Sequence, residues 1–131
     1  MQAYSDPSRV RRIMSAPEPS HERPVHYSVR TSTPWGAAQS VQYHAKGILQ
    51  YSTAGHGGFH VSAGLLKQMP EYLQRADQYA DGTKGWFEED CAWAIVVICF
   101  PDVFSLRVRG DAIRTMESTY PEQWERFCRP A

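Results

Sequence analysis

Residues 40–61 read SVQYHAKGILQYSTAGHGGFHV, and this stretch indicates the fold class. Polar and apolar side chains alternate over Ser40–Ala45 and again over Gly47–Thr53. A period of two residues is typical of β-strands that bury one face. Gly55–Gly58 then predicts a turn, and Phe59–Val61 predicts a further short strand. The stretch therefore predicts an antiparallel meander.

Outside this stretch, an alternating run over 25–30 predicts one more strand, and the second half of the chain has helical patterns. Ser62 is predicted to cap a short turn. The β-branched residues of Ile95–Ile98 leave a buried strand as the alternative to a buried helix there. Helices are predicted from Pro70 onward and over Glu88–Phe100, Leu106–Thr119 and Pro121–Cys128.

These patterns predict an α+β fold, with a small antiparallel sheet in the N-terminal half packed against three to four helices in the C-terminal half. Residues 25–131 are expected to form a single domain, and residues 1–24 a flexible tail rich in proline and serine. The core is expected to include the following side chains: Trp93, Ile95, Ile98, Ile113 and Met116.

Composition limits the class of protein. The formal net charge is zero, so direct binding of nucleic acid is not expected. No apolar run is long enough for a membrane span, and no signal peptide is visible, so a cytoplasmic protein without membrane contact is expected. Three widely spaced cysteines predict free thiols rather than disulfides. The sequence leaves the oligomeric state open.

Histidines among glycines and hydroxyl groups suggest a functional site. His56 and His60, if the protein is an enzyme, are candidate bases, and the cluster Glu88, Glu89 and Asp90 supplies candidate acids or ligands. We expect both histidines at the rim of the sheet, near these carboxylates. Imidazole and carboxylate groups are also metal ligands, but the spacing matches no established metal motif. No metal and no cofactor is therefore assigned from sequence.

Two other interpretations of the same residues remain open. The turn could be purely structural, with its histidines bonded to neighbouring backbone. Alternatively, its backbone amides and hydroxyl groups could hold a phosphate. The residues of this predicted ligand-binding turn are Ser52, Thr53, Gly55, Gly57 and Gly58.

Aromatic side chains suggest binding to another protein. Tyrosine and tryptophan are enriched at interaction hot spots, and this chain has four tryptophans and seven tyrosines. The side chains assigned to a protein-binding surface are Trp35, Trp86 and Phe87.

Several blocks of the sequence resemble an uncharacterised domain family of bacterial plasmids, integrated elements and phages. The blocks are Thr33-Pro-Trp-Gly36, residues 51–60, Trp86-Phe-Glu-Glu-Asp-Cys91 and Phe100-Pro-Asp102. The resemblance implies an accessory protein of mobile elements that binds a host or defence-system protein complex, most simply an inhibitor of a system such as CRISPR–Cas. A small hydrolase, or an enzyme that binds a nucleotide or metal, is the alternative, with the Gly-His turn and the Glu-Glu-Asp segment as its site.

Overall fold

The protein is described by a computed structural model over residues 31–77 and 81–130. The predicted tail over 1–24 and the predicted strand over 25–30 lie outside these ranges. Within them, an antiparallel sheet occupies the N-terminal half and helices follow in the C-terminal half. The α+β fold predicted from sequence is therefore confirmed.

The described residues form six short strands, of which the first five follow one another and the sixth comes after two short helices. β1 (Ser32–Thr33) and β2 (Gly36–Ala37) form a small hairpin, and the main sheet has the antiparallel order β3-β4-β5-β6. The strands of the main sheet are β3 (Ser40–Ala45), β4 (Ile48–Ser52), β5 (Gly57–Val61) and β6 (Trp86–Glu88). The meander over residues 40–61 is present as predicted.

Two boundaries differ from the prediction. Gly57 and Gly58 belong to β5, and the turn before them is formed by Thr53–His56, whose ends are joined by a 2.7 Å bond from the Thr53 amide to the His56 carbonyl oxygen. Glu88 ends β6 and does not begin a helix. A strand of three residues followed by carboxylates resembles an acidic helix start in sequence, which is why β6 was not predicted.

Five α-helices occur in the described part of the chain, against three to four predicted. Ser62 caps α1 as predicted, and the helix over 95–98 excludes the buried-strand alternative. Ser105 caps α4 by accepting a bond from the Val108 amide. The helices are α1 (Ala63–Leu66), α2 (Glu71–Gln74), α3 (Trp93–Cys99), α4 (Leu106–Thr119) and α5 (Pro121–Cys128).

One face of the sheet and the helix α3 form the main core. Every residue of α3 from Ala94 to Cys99 is buried, as expected for a helix that is apolar on all sides. Phe59 and Phe87 contribute side chains from the sheet. Four predicted core residues are confirmed, namely Ile95, Ile98, Ile113 and Met116. Trp93 is only partly buried at the edge of this cluster, so its placement in the core was wrong.

The opposite face of the sheet carries a second, smaller apolar cluster. It consists of Ala38, Leu49 and Tyr51, against which Val41, Tyr43 and Trp86 pack. Trp35, in the turn of the β1–β2 hairpin, lies edge-on to Trp86 with ring centroids 5.6 Å apart. The segment before β3 therefore covers part of the face that the helices leave open.

The cysteines and the lengths of the helices bear on two of the predictions made from the sequence. The three cysteines, all within the described residues, form no disulfide, and burial raises the pKa of the Cys99 thiol. Across residues 31–77 and 81–130, the helices are too short or too polar to cross a bilayer.

The close approach at Gly58 generates the first prediction. A Cβ atom there would lie 2.3 Å from the Phe87 carbonyl oxygen and 2.5 Å from Cη2 of Trp35. Because the carbonyl belongs to the paired strand, it cannot move aside without disturbing the ladder. We expect Gly58→Ala to lower the free energy of unfolding by about 3 kcal/mol or more, measured by urea denaturation.

Gly64 provides the matched control. It lies in α1, and a Cβ atom there would meet nothing within 4 Å. Gly64→Ala is expected to raise the unfolding free energy by up to about 1 kcal/mol, since alanine favours the helix. A Gly58→Ala variant as stable as the wild type would contradict the described packing of β5 against β6 and Trp35.

Candidate functional site

The turn between β4 and β5 fixes the position of His56. The Thr53 hydroxyl donates to the His56 carbonyl oxygen at 2.8 Å and accepts from the His56 amide at 3.1 Å. Together with the Thr53 amide bond, these contacts close a four-residue turn. His56 is thereby held directly before β5, with one third of its side chain exposed.

Glu88 is the anchor of the acidic segment. Its Oε2 accepts a bond from the Asp90 amide at 2.6 Å, and its Oε1 accepts bonds from the Cys91 and Ala92 amides, both at 2.9 Å. Only 8% of the side chain is exposed. An ionised carboxylate is well suited to satisfy several backbone donors at once. Glu88 therefore organises the loop that leads from β6 into α3.

His56 faces all three neighbouring carboxylates. Its Nε2 lies 3.6 Å from Glu88 Oε2 and 3.9 Å from Asp90 Oδ2, while its Nδ1 lies 3.9 Å from Glu89 Oε2. All three distances exceed the range of a direct hydrogen bond. The imidazole therefore stands between the carboxylates without bonding directly to any of them.

The separations are close to those of metal ligands. One ligand atom from each of His56, Glu88 and Asp90 lies within 4.8 Å of the others. Around a tetrahedral zinc ion with bonds of roughly 2.1 Å, ligand atoms are about 3.4 Å apart. The two measured contacts of His56 Nε2 exceed that value by only a few tenths of an ångström. These three side chains could thus bind an ion after small movements.

Glu89 occupies the remaining side of the imidazole. Histidines that bind a metal through one ring nitrogen usually donate the other N–H to a carboxylate or carbonyl. Here Nε2 is directed to Glu88 and Asp90, and Nδ1 is directed to Glu89. The backbone fixes Glu89 as well, because its amide donates to the Gly57 carbonyl oxygen at 2.9 Å. Nε2 thus faces the two carboxylates of the candidate ligand set, and Nδ1 faces a third carboxylate that could accept its N–H after a small movement.

His60 is not part of this group. It lies in β5 opposite Trp86, with ring centroids 4.4 Å apart, and borders a separate cavity of about 490 Å³ with Lys46, Leu49 and Leu65. Burial lowers the pKa of His60, and a hydrogen bond with the Lys84 backbone opposes this only in part. The expected pairing of both histidines with the carboxylates is therefore seen for His56 alone.

The residues predicted to form a phosphate-binding turn do not form a single loop. Gly57 and Gly58 pair with Ser52 and Tyr51 in the sheet, so they do not form a loop of free amides. Thr53 closes the turn, and Gly55 lies in open space at its tip. The glycines of β5 are required for close packing instead. At Gly57 a Cβ atom would lie 2.6 Å from the Tyr51 carbonyl oxygen.

The three aromatic residues assigned to protein binding have different environments. Trp35 and Trp86 are partly buried, and the Trp35 ring lies 6.0 Å from the His56 ring. Phe87 is 1% exposed and belongs to the main core. Its assignment to a binding surface is corrected, since β6 alternates and directs Phe87 to the helices.

Comparison of the amino-acid sequence with models of known protein families gives a match. The model of a family described as "Domain of unknown function (DUF7007)" matches residues 28–131. The chain belongs to the DUF7007 family. No curated protein and no solved structure matches it. The DUF7007 match spans the sheet, the His56 turn and the acidic segment, so all the site residues described above lie inside the family domain.

Sequence reasoning missed one group of residues in this DUF7007 domain. His44, Trp93 and Phe104 line a cleft of about 260 Å³ that Glu89 also borders. The three lie on β3, α3 and the segment before α4, so no local motif connects them. The partial exposure of Trp93, which was expected in the core, is the feature that reveals the cleft.

The acceptor role of Glu88 for three loop amides in this chain leads to the second prediction. Glu88→Ala would leave three backbone N–H groups without their acceptor, one of them at a buried residue. We expect the free energy of unfolding to fall by about 2–3 kcal/mol, measured by urea denaturation. Asp90→Ala removes a neighbouring carboxylate that is 72% exposed, and its effect should stay within about 0.5 kcal/mol. Equal effects of the two substitutions would disprove the anchoring role of Glu88.

Proposed function

We propose that the DUF7007 domain binds a divalent transition-metal ion through His56, Glu88 and Asp90 and uses it for hydrolytic chemistry. The observation that carries this proposal is the separation of 3.6 Å and 3.9 Å between His56 Nε2 and the two carboxylate oxygens. One imidazole and two carboxylates form a donor set suited to zinc or manganese.

The number of ligands supports the proposed reaction class. Three protein ligands leave coordination positions for water or substrate, as in catalytic rather than structural zinc sites. A bound divalent ion lowers the pKa of its water towards neutrality and so supplies hydroxide. Asp90 and Glu89 are substantially exposed, which leaves the site accessible from solvent.

The third prediction tests this proposal. Isothermal titration calorimetry of the purified chain with zinc or manganese chloride should give a stoichiometry of one bound ion per chain. His56→Ala should weaken that binding by more than about tenfold, because it removes the only nitrogen ligand of the set. His60→Gln, which alters an imidazole outside the cluster, should leave the affinity unchanged.

Circular dichroism of each variant controls for folding. Absence of metal binding by the wild type, or equal binding by wild type and His56→Ala, would overturn the proposal. The reaction class is tested separately by hydrolysis of p-nitrophenyl esters with the manganese-loaded protein, where the His56→Ala variant should lose turnover.

We propose as a second candidate that the protein is encoded on bacterial mobile elements and inhibits a defence system such as CRISPR–Cas by binding to it. The motif blocks quoted above support the mobile-element origin. A specific feature supports protein binding: among the described residues, Leu106 at the start of α4 is the large hydrophobic side chain that is exposed, at 66%. A partner that covered this side chain would remove its apolar surface from water, which favours association.

The fourth prediction separates the two candidates. Leu106→Ser should weaken one-to-one binding to a purified CRISPR–Cas effector complex by about tenfold or more in gel filtration and calorimetry. His56→Ala should leave that binding intact, since the two sites use different residues. If the wild-type protein binds no effector complex, the inhibitor proposal is overturned and the metal proposal is unaffected.

A further inference from the structure

A cleft between the sheet and the helices has a composition unlike the rest of the surface. It has a volume of about 260 Å³. Three of its rings form one continuous wall: the His44 ring centroid lies 5.3 Å from those of Phe59 and Phe104, which are themselves 5.6 Å apart. Trp93 and Val108 contribute to the lining from α3 and α4. Phe59 and Phe104 are buried, so the accessible aromatic surface of the lining comes from the half-buried His44 and Trp93.

Glu89 provides the charge of the cleft. Among the described lining residues it is the one carboxylate, and about half of its side chain is exposed. The position of Glu89 is set by its amide bond to the Gly57 carbonyl oxygen. Arg109 is not among the lining residues, and its Nε donates to the Phe104 carbonyl oxygen at 3.1 Å. The cleft therefore combines aromatic walls with a fixed negative charge, and Glu88 and Asp90 strengthen the negative field next to it.

We infer that this cleft binds a guanidinium group. Guanidinium is planar and always protonated, stacks on aromatic faces and donates two parallel hydrogen bonds to a carboxylate. A guanidinium group can stack on the aromatic walls and can also pair with the Glu89 carboxylate. An ammonium ion has no flat face to stack, and a neutral ring would leave the Glu89 charge unpaired. The group can come from a free arginine-like compound or from an arginine side chain of another protein.

Hydrogen bonding within the cleft agrees with this assignment. His44 Nε2 and Gln50 Oε1 are 2.8 Å apart, so these two polar side chains satisfy one another on the wall. Glu89, by contrast, makes only the long 3.9 Å side-chain contact to His56 among the residues that the structure describes. Its oxygens are thus available to a cationic ligand. This inference uses none of the three metal-ligand candidates, and it shares Glu89 with that site only through the 3.9 Å contact to His56 Nδ1.

The fifth prediction uses the full chain in buffer containing a chelator. NMR titration with L-argininamide should show saturable shifts that include the Trp93 indole. Citrullinamide, whose side chain has nearly the same shape but carries no charge, should bind at least about tenfold more weakly. Glu89→Gln should weaken argininamide binding by a similar factor. Glu71→Gln, which removes an exposed carboxylate of α2 outside the cleft lining, should change it by less than about twofold.

A second arm identifies the source of the group. An acetylated and amidated Ala-Arg-Ala peptide that binds more tightly than argininamide assigns the cleft to a protein partner, and the reverse order assigns it to a free compound. Equal binding of argininamide and citrullinamide, no binding of either arginine probe, or an unchanged affinity in Glu89→Gln would overturn the inference. Because the chelator removes metal ions, none of these results bears on the metal titration.

Discussion

The carboxylate of Glu88 determines how the two halves of this domain meet. Strand β6 ends at this residue, and the chain must then turn from an extended strand into helix α3, which is buried from Ala94 to Cys99. The loop amides in between would otherwise lack acceptors, since the residue before α3 makes no side-chain capping bond. By accepting three of those N–H groups, Glu88 satisfies the loop and at the same time directs one oxygen towards His56. Stability and site geometry therefore depend on the same side chain.

Part of this arrangement could be predicted from the sequence, because some elements are encoded locally. The alternation over residues 40–61 follows directly from burial of one sheet face, and α4 and α5 have clear caps or an initial proline. Strand β6 could not be found in this way. Its three residues are too few to establish a period, and its pairing with β5 is a long-range contact. The acidic residues after it indicated a helix dipole, whereas the structure uses Glu88 as an acceptor for the loop.

The candidate site shows the same limit. The residue types of the histidine turn and the acidic segment suggested a shared surface, and His56 does meet Glu88, Glu89 and Asp90 there. Sequence could not distinguish His56 from His60, because the difference arises from where β5 begins. His60 lies within the strand and pairs with Trp86, while His56 lies just before the strand, in a turn closed by Thr53. Likewise, the aromatic cleft combines side chains from separate elements, and no single segment reveals it.

The closed turn over Thr53–His56 has a consequence for how this domain can vary. Surface loops usually accept insertions and fused peptides with little effect. This loop is different: the hydroxyl and amide bonds of Thr53 span a fixed number of residues, and Gly57 and Gly58 immediately after it have no room for larger side chains. An added residue would shift the imidazole out of reach of its carboxylates. Labels and linkers therefore belong elsewhere on the surface, and length changes among natural variants should avoid this connection.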